Sequence, residues 1–270
     1  MERLLVLRLE AIGCSAEAVL NGVPLLRAGG AQTVASLPVH EFTLAGSNEI
    51  ELVINPLPVI AVCAGMAELP GEPSLSDGKV GASLRLLLPR VGGIAHPANA
   101  RTLACLDWTP GADEIYRSPT RLQQVVDLPI AFARWRWLDA PVVAMTEGLK
   151  EELASYLLKI ALGLAKGNPE PLIQASRLRL EELSQAYQRK LSDDVERLRS
   201  HIVQLHQTQA LKPGLPSSSK MLLRPVAGGR LLECLAPDGL PLLRSPCAGG
   251  GQIMWPIRVS AIGGEFYVLR

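Results

Sequence analysis

Apolar and polar residues alternate along much of the first half of the chain. Leu5, Leu7 and Leu9 interleave with Val6, Arg8 and Glu10, a period of two that predicts a half-buried strand. Val19-Leu20, then Asn21-Gly22, then Val23-Pro24-Leu25-Leu26 predicts a hairpin on a type I′ turn. Val39–Leu44 is expected to close a sheet edge and to run into the turn Ala45-Gly46-Ser47-Asn48. Glu49–Ile54 then alternates, with Ile50, Leu52 and Ile54 on one face. Leu84–Pro89, Arg101–Trp108 and Leu122–Leu128 are further strands, separated by Pro- and Gly-rich turns. This spacing predicts a β-sandwich over 1–141.

Near Pro141 the period changes to about 3.6. Behind a cap at Thr146, Leu149, Leu153, Tyr156, Leu157, Ile160 and Leu164 recur at steps of three and four. Gly167-Asn168-Pro169 ends that helix and Pro171 opens another. Leu180, Leu183, Tyr187, Leu191, Val195, Leu198, Ile202 and Leu205 continue the steps. They predict one long second helix, with Ser192-Asp193-Asp194 as the place for a break and Asp193 and Glu196 at capping-box spacing. A Pro/Ser linker at Lys212–Ser219 leads to strands around Met221–Arg224, Met254–Val259 and Glu265–Leu269, with turns at Ala227-Gly228-Gly229 and Pro237-Asp238-Gly239. The fold class is therefore α+β, with 142–270 forming a unit of two long helices and a small antiparallel sheet.

Composition narrows the function classes. The 270 residues are 48% hydrophobic and 4% aromatic, so aliphatic side chains must fill the cores. A net charge of +1 provides no global field to draw nucleic acid or an anionic membrane. The four-residue apolar run Leu4–Leu7 is too short for a signal-peptide core, and no run approaches the ~20 apolar residues of a span. Cytosolic residence is the expectation. Five cysteines, none in a CxxC pair, are expected as buried reduced thiols.

No catalytic motif stands out. His201 and His206 are five apart, about 140° round a helix, so they do not share a face as a zinc pair does. His40 and His96 lack neighbouring ligand patterns. Gly92-Gly93 and Gly249-Gly250-Gly251 lack the strand–helix setting of a nucleotide loop. Adjacent acids such as Asp113-Glu114 point apart, and after Pro110-Gly111 they read as a solvated turn or as an anionic contact for a basic partner. No catalytic, cofactor or metal residue is assigned.

The contact candidates lie in Phe132–Leu138. As a strand it would place Trp135 and Trp137 on one face, with Arg134 and Arg136 on the other. One reading is core tryptophans with solvated arginines; the other is an exposed Trp/Arg patch of the type that dominates protein interfaces. Tyr116, Arg117 and Arg121 in the preceding segment extend that patch. The apolar stripe of the long second helix is a candidate homodimer surface.

Two resemblances add to this. Leu20–Pro24, Pro38–Phe42 and Ala45–Leu52 look like jelly-roll domains, with their short NG hairpin and G-x-N-x-L-x-L strand. The helix–Gly167-Asn168–helix passage and the ending Gly263–Arg270 are similar to NTF2-like domains, where helices pack across a curved sheet. Such modules joined without a catalytic motif resemble bacterial immunity proteins. That resemblance implies a non-enzymatic protein that neutralises a secreted, nuclease-type toxin by stoichiometric binding. An NTF2-like cone implies the alternative of a small-molecule binder or enzyme with a His, Asp or Tyr on its wall. A carbohydrate-binding sandwich is the third reading; it would need exposed coplanar aromatics, drawn from Trp108, Trp135 and Trp137.

Overall fold

A computed structural model describes residues 4–58, 63, 74–75, 80–90, 92–111, 115–116, 118–129, 132–209 and 211–270. The chain divides into two compact units. The first runs to Arg134; the second starts at Trp135 and takes in Cys63. The change of hydrophobic period near Pro141 lies a few residues inside the second unit.

The first unit is built of strands β1 (Val6–Ile12), β2 (Ala16–Leu20), β3 (Val23–Ala28), β4 (Val34–Pro38) and β5 (Gly46–Ile54), with the two-residue β6 (Ser74–Leu75). It continues with β7 (Gly81–Pro89), β8 (Ala100–Trp108), the two-residue β9 (Ile115–Tyr116) and β10 (Thr120–Leu128). Two four-stranded antiparallel sheets result, ordered β4-β1-β7-β8 and β10-β5-β2-β3. The alternation does what its period requires: Leu5, Leu7 and Leu9 are fully buried while Arg8 and Glu10 are half-buried and paired at 2.6 Å. Ile50, Leu52 and Ile54 are likewise buried. Asn21 and Gly22 turn the β2–β3 hairpin with φ of 51° and 75°, the left-handed pair a type I′ turn demands.

Val39–Leu44 is not a strand. The sheet edge is the preceding β4, and His40–Phe42 forms a 3-10 turn. The turn is held by polar bonds the alternation does not reveal. Buried His40 accepts the Leu5 amide at Nε2 (2.7 Å), and the Thr43 hydroxyl donates to the Val39 carbonyl (2.8 Å).

In the second unit, a 3-10 turn at Arg136–Leu138 precedes α1 (Glu147–Ala165), α2 (Glu170–Ala175), α3 (Arg177–Ala186) and α4 (Leu191–Gln209). Strands β11 (Leu222–Val226), β12 (Leu231–Leu235), β13 (Leu243–Pro246), β14 (Gln252–Trp255), β15 (Arg258–Ile262) and β16 (Glu265–Val268) follow. They form the antiparallel sheet β11-β12-β15-β16 and the hairpin β13-β14. The expected strand Met254–Val259 is broken at Pro256, which has no amide to continue a ladder. Leu153, Leu157, Ile160 and Leu164 of α1 share one apolar core with Leu223, Leu232, Cys234, Val259 and Val268 of the sheet. On alternate positions of the sheet, Glu233 pairs in register with Arg224 and Arg258, at 3.6 and 2.8 Å.

The long second helix is three helices. α2 and α3 meet at Ser176, and the chain breaks again at Tyr187–Lys190, ahead of the expected Ser192-Asp193-Asp194. Gln188 takes a left-handed φ of 51° there. Asp194 is instead a buried anchor: it receives the Ser184 hydroxyl (3.0 Å) and the guanidinium groups of Arg189 (3.0 Å) and Arg197 (2.8 Å). Leu180 and Ile202 of the expected dimer stripe are buried.

None of the five cysteines is in a disulfide, and Cys234 is the buried one; Cys14, Cys63, Cys105 and Cys247 are half-buried. Among the described residues, no helix is long and apolar enough to cross a membrane.

Candidate ligand-binding cleft

The second unit carries a cleft of about 870 Å³ between α1, α2, the start of α3 and the β15–β16 hairpin. Its first wall follows from helical spacing. Glu152, Ser155, Tyr156, Lys159 and Ile160 of α1 fall at steps of three and four, so they share one face, beside the stripe that enters the core. Pro171, Gln174 and Ala175 of α2 make the second wall by the same rule. α2 comes this close because α1 has Gly163 at the crossing. A Cβ there would stand 2.8 Å from Pro171 Cγ and 3.0 Å from the Asn168 carbonyl. The third wall is Gly264–Tyr267, carried by a tight turn in which Gly263 and Gly264 take φ of 61° and 83°.

Ile160, Ala175 and the rings of Tyr156 and Phe266 give the cleft apolar surface. The two rings pack tilted, with centroids 5.6 Å apart. At the rim, Tyr267 organises two opposite charges: its hydroxyl donates to Glu265 Oε2 (2.5 Å) and accepts from Arg177 Nη2 (2.9 Å). The same guanidinium lies 5.2 Å from the Tyr267 ring centre, within cation–π range. Burial pushes the Tyr156 phenol well above an ordinary tyrosine, and Tyr267 adds to the shift. The Tyr156 phenol is therefore neutral at physiological pH, with its oxygen buried and the ring lining the cleft. Among the described residues, Glu152 and Lys159 have no ion-pair partner. The cleft offers an apolar floor, two tyrosines and charges of both signs on fixed elements.

The contact residues expected from sequence lie elsewhere. Asp113, Glu114 and Arg117 fall outside the described residues. Tyr116 sits in β9, edge-on to Trp108 (4.9 Å, 76°), and its hydroxyl accepts from Asn55 Nδ2 at 3.4 Å. Edge-on rings do not make the coplanar platform a sugar ring needs. Arg134 is exposed at the end of the first unit.

Phe132–Leu138 is not a strand, and Trp135 and Trp137 are 1% and 2% exposed. They form no surface patch. They lie beside the buried Arg270 guanidinium, 5.9 and 6.0 Å from their ring centres. Arg270 Nη1 donates to Glu182 Oε2, whose other oxygen accepts the Arg136 amide, both at 2.5 Å. The exposed Arg136 guanidinium reaches Glu181 (2.6 Å) and the Leu178 carbonyl (3.1 Å). The structure thus brings Trp135, Arg136 and Trp137 together as a clamp on α3, whose first residue, Arg177, stands at the cleft.

In the sequence Tyr156 belongs to an apolar helical stripe, and nothing there joins it to Arg177. The local signal was a tyrosine bordered by Glu152 and Lys159 on one helical face. The partners on β16 come from about ninety residues further on. Among the described residues, no group of three His, Cys, Asp or Glu side chains is placed to hold a metal. Comparison of the chain with family models, with curated proteins and with solved structures finds no match.

Proposed function

We propose that this chain is a non-enzymatic binding protein that associates one-to-one with a partner protein, as immunity proteins do with secreted antibacterial toxins of nuclease type. In this reading the cleft of the second unit is the contact. The observation that carries it is the rim: Tyr267 and Arg177, residue types that dominate interface hot spots, are locked together beside Glu152 and Lys159, which have no ion-pair partner among the described residues. An open cleft with both charge signs suits a projecting segment of a folded partner, with the rest of a standard ~1,600 Å² interface around it. The reading includes a cytosolic site of action, and the finer kinships of the fold, jelly-roll-like for the first unit and NTF2-like for the second. The test is co-expression with the product of the neighbouring gene. A one-to-one complex and survival of cells making the toxin are expected; toxicity undiminished, with no complex at micromolar concentration, removes the reading.

One observation favours a second reading, a small-molecule binder. The cleft volume falls within the ~300–1,000 Å³ of ligand pockets, and two tyrosines stand on its wall. Mass spectrometry of the native purified protein would then find a bound compound that Tyr156→Ala loses.

A further inference from the structure

Among the described residues, four charged side chains line the cleft, and they are not equivalent. Arg177 and Glu265 are already engaged through Tyr267. Glu152 and Lys159 have no ion-pair partner among the described residues. These two sit on one face of α1, seven residues apart, with Tyr156 between them. At a rise of 1.5 Å per residue the acid lies about 6 Å from the tyrosine along the axis, and the base about 4.5 Å beyond. An occupant lying along α1 therefore meets acid, aromatic ring and base in a row of about 10 Å, with Ile160, Ala175 and Phe266 as apolar neighbours.

We propose that this row reads an extended segment of the partner with the alternating pattern basic–x–apolar–x–acidic. The proposal rests on the cleft being the partner contact and narrows that contact to a chemical pattern. Its geometry follows from the strand period. Every second side chain of an extended segment points the same way, at about 6.7 Å per pair. That matches the Glu152-to-Tyr156 step, and the flexible ends of Lys159 and of the incoming acid take up the shorter second one. A basic residue then meets Glu152, an aromatic or branched apolar one settles against Tyr156 and Phe266, and an acidic one meets Lys159. Gln174 on the facing wall presents an amide to the segment's backbone. A run of one charge sign, whether a polybasic tail or a phosphate backbone, gains at one end of the row and loses at the other.

The test uses the full-length protein and blocked heptapeptides titrated by calorimetry and heteronuclear NMR. The reference peptide is Gly-Lys-Ser-Phe-Ser-Glu-Gly; one control has glutamine at both charged positions and another has lysine at both. Wild type is expected to bind the reference best, by about two- to fivefold per matched charge. Lys159→Glu, an exposed change checked for folding by circular dichroism, is expected to prefer the peptide with two lysines. Equal binding of all three peptides by both proteins overturns the pattern, as does no binding at millimolar concentration. The partner complex, measured in parallel, separates the two levels. If Arg177→Glu weakens that complex while the peptides fail, the pattern alone falls. If the complex ignores Arg177→Glu, the cleft is not the contact.

Discussion

Arg270 is the most demanding residue in the second unit. Its side chain has no exposure, and that of Glu182, its partner, has 4%. Removing one member of a buried pair leaves the other charge in a poorly solvated site, which destabilises by about 3–5 kcal/mol. Glu182→Ala is therefore expected to lower stability by that amount, read from the urea midpoint of the second unit. Arg199→Ala breaks only exposed pairs to Glu170 and Glu196 and should leave the midpoint where it is. Tyr156 adds a pH dependence. Its phenol is raised in the folded state, so the stability it contributes is complete below the ordinary tyrosine range near pH ~10 and is lost as pH rises beyond it. Spectrophotometric titration should find one tyrosine that ionises after the others, and Tyr156→Phe should remove that late step. Nothing in the sequence marks Glu182 or Arg270 as partners. They are 88 positions apart, and each alone looks like a solvated charge.

The elements were legible where one face is buried. β1, β5 and β7 alternate over most of their length because their inward residues fill a core, and the NG turn names its own backbone geometry. The failures have local causes. β4 sits at a sheet edge with no deeply buried residue, so its pattern is weak, while Val39 and Phe42 next to it are buried without being strand. The break at Tyr187–Lys190 is silent because Leu183, Tyr187 and Leu191 keep a step of four through it and no Gly or Pro interrupts. The α1–α2 crossing is a contact that only the structure reveals, and it shapes the cleft. Gly163→Ala should push Pro171 away from α1 and destabilise by about 1–3 kcal/mol, as overpacking does. Thermal unfolding reads the stability, and the Pro171 resonances read the displacement.

On the scale of the whole molecule, the class was readable and the site was not. A period of two followed by a period of 3.6 sufficed for strands first and helices with a small sheet after. The cleft draws on Glu152–Arg177 and on Gly264–Tyr267, segments about ninety residues apart that meet beside β16, an edge strand of its sheet. The tryptophan-arginine segment has the composition of an interface patch, yet Trp135 and Trp137 are buried, which leaves Arg136 to hold α3 and, through it, the position of Arg177. In the proposed function the cleft is the contact surface. Its most direct test is the affinity of the partner complex for wild type and for Arg177→Glu, with the fold verified in each. A loss of about thirtyfold or more is expected, the mark of a hot spot worth at least ~2 kcal/mol. An unchanged affinity would contradict it.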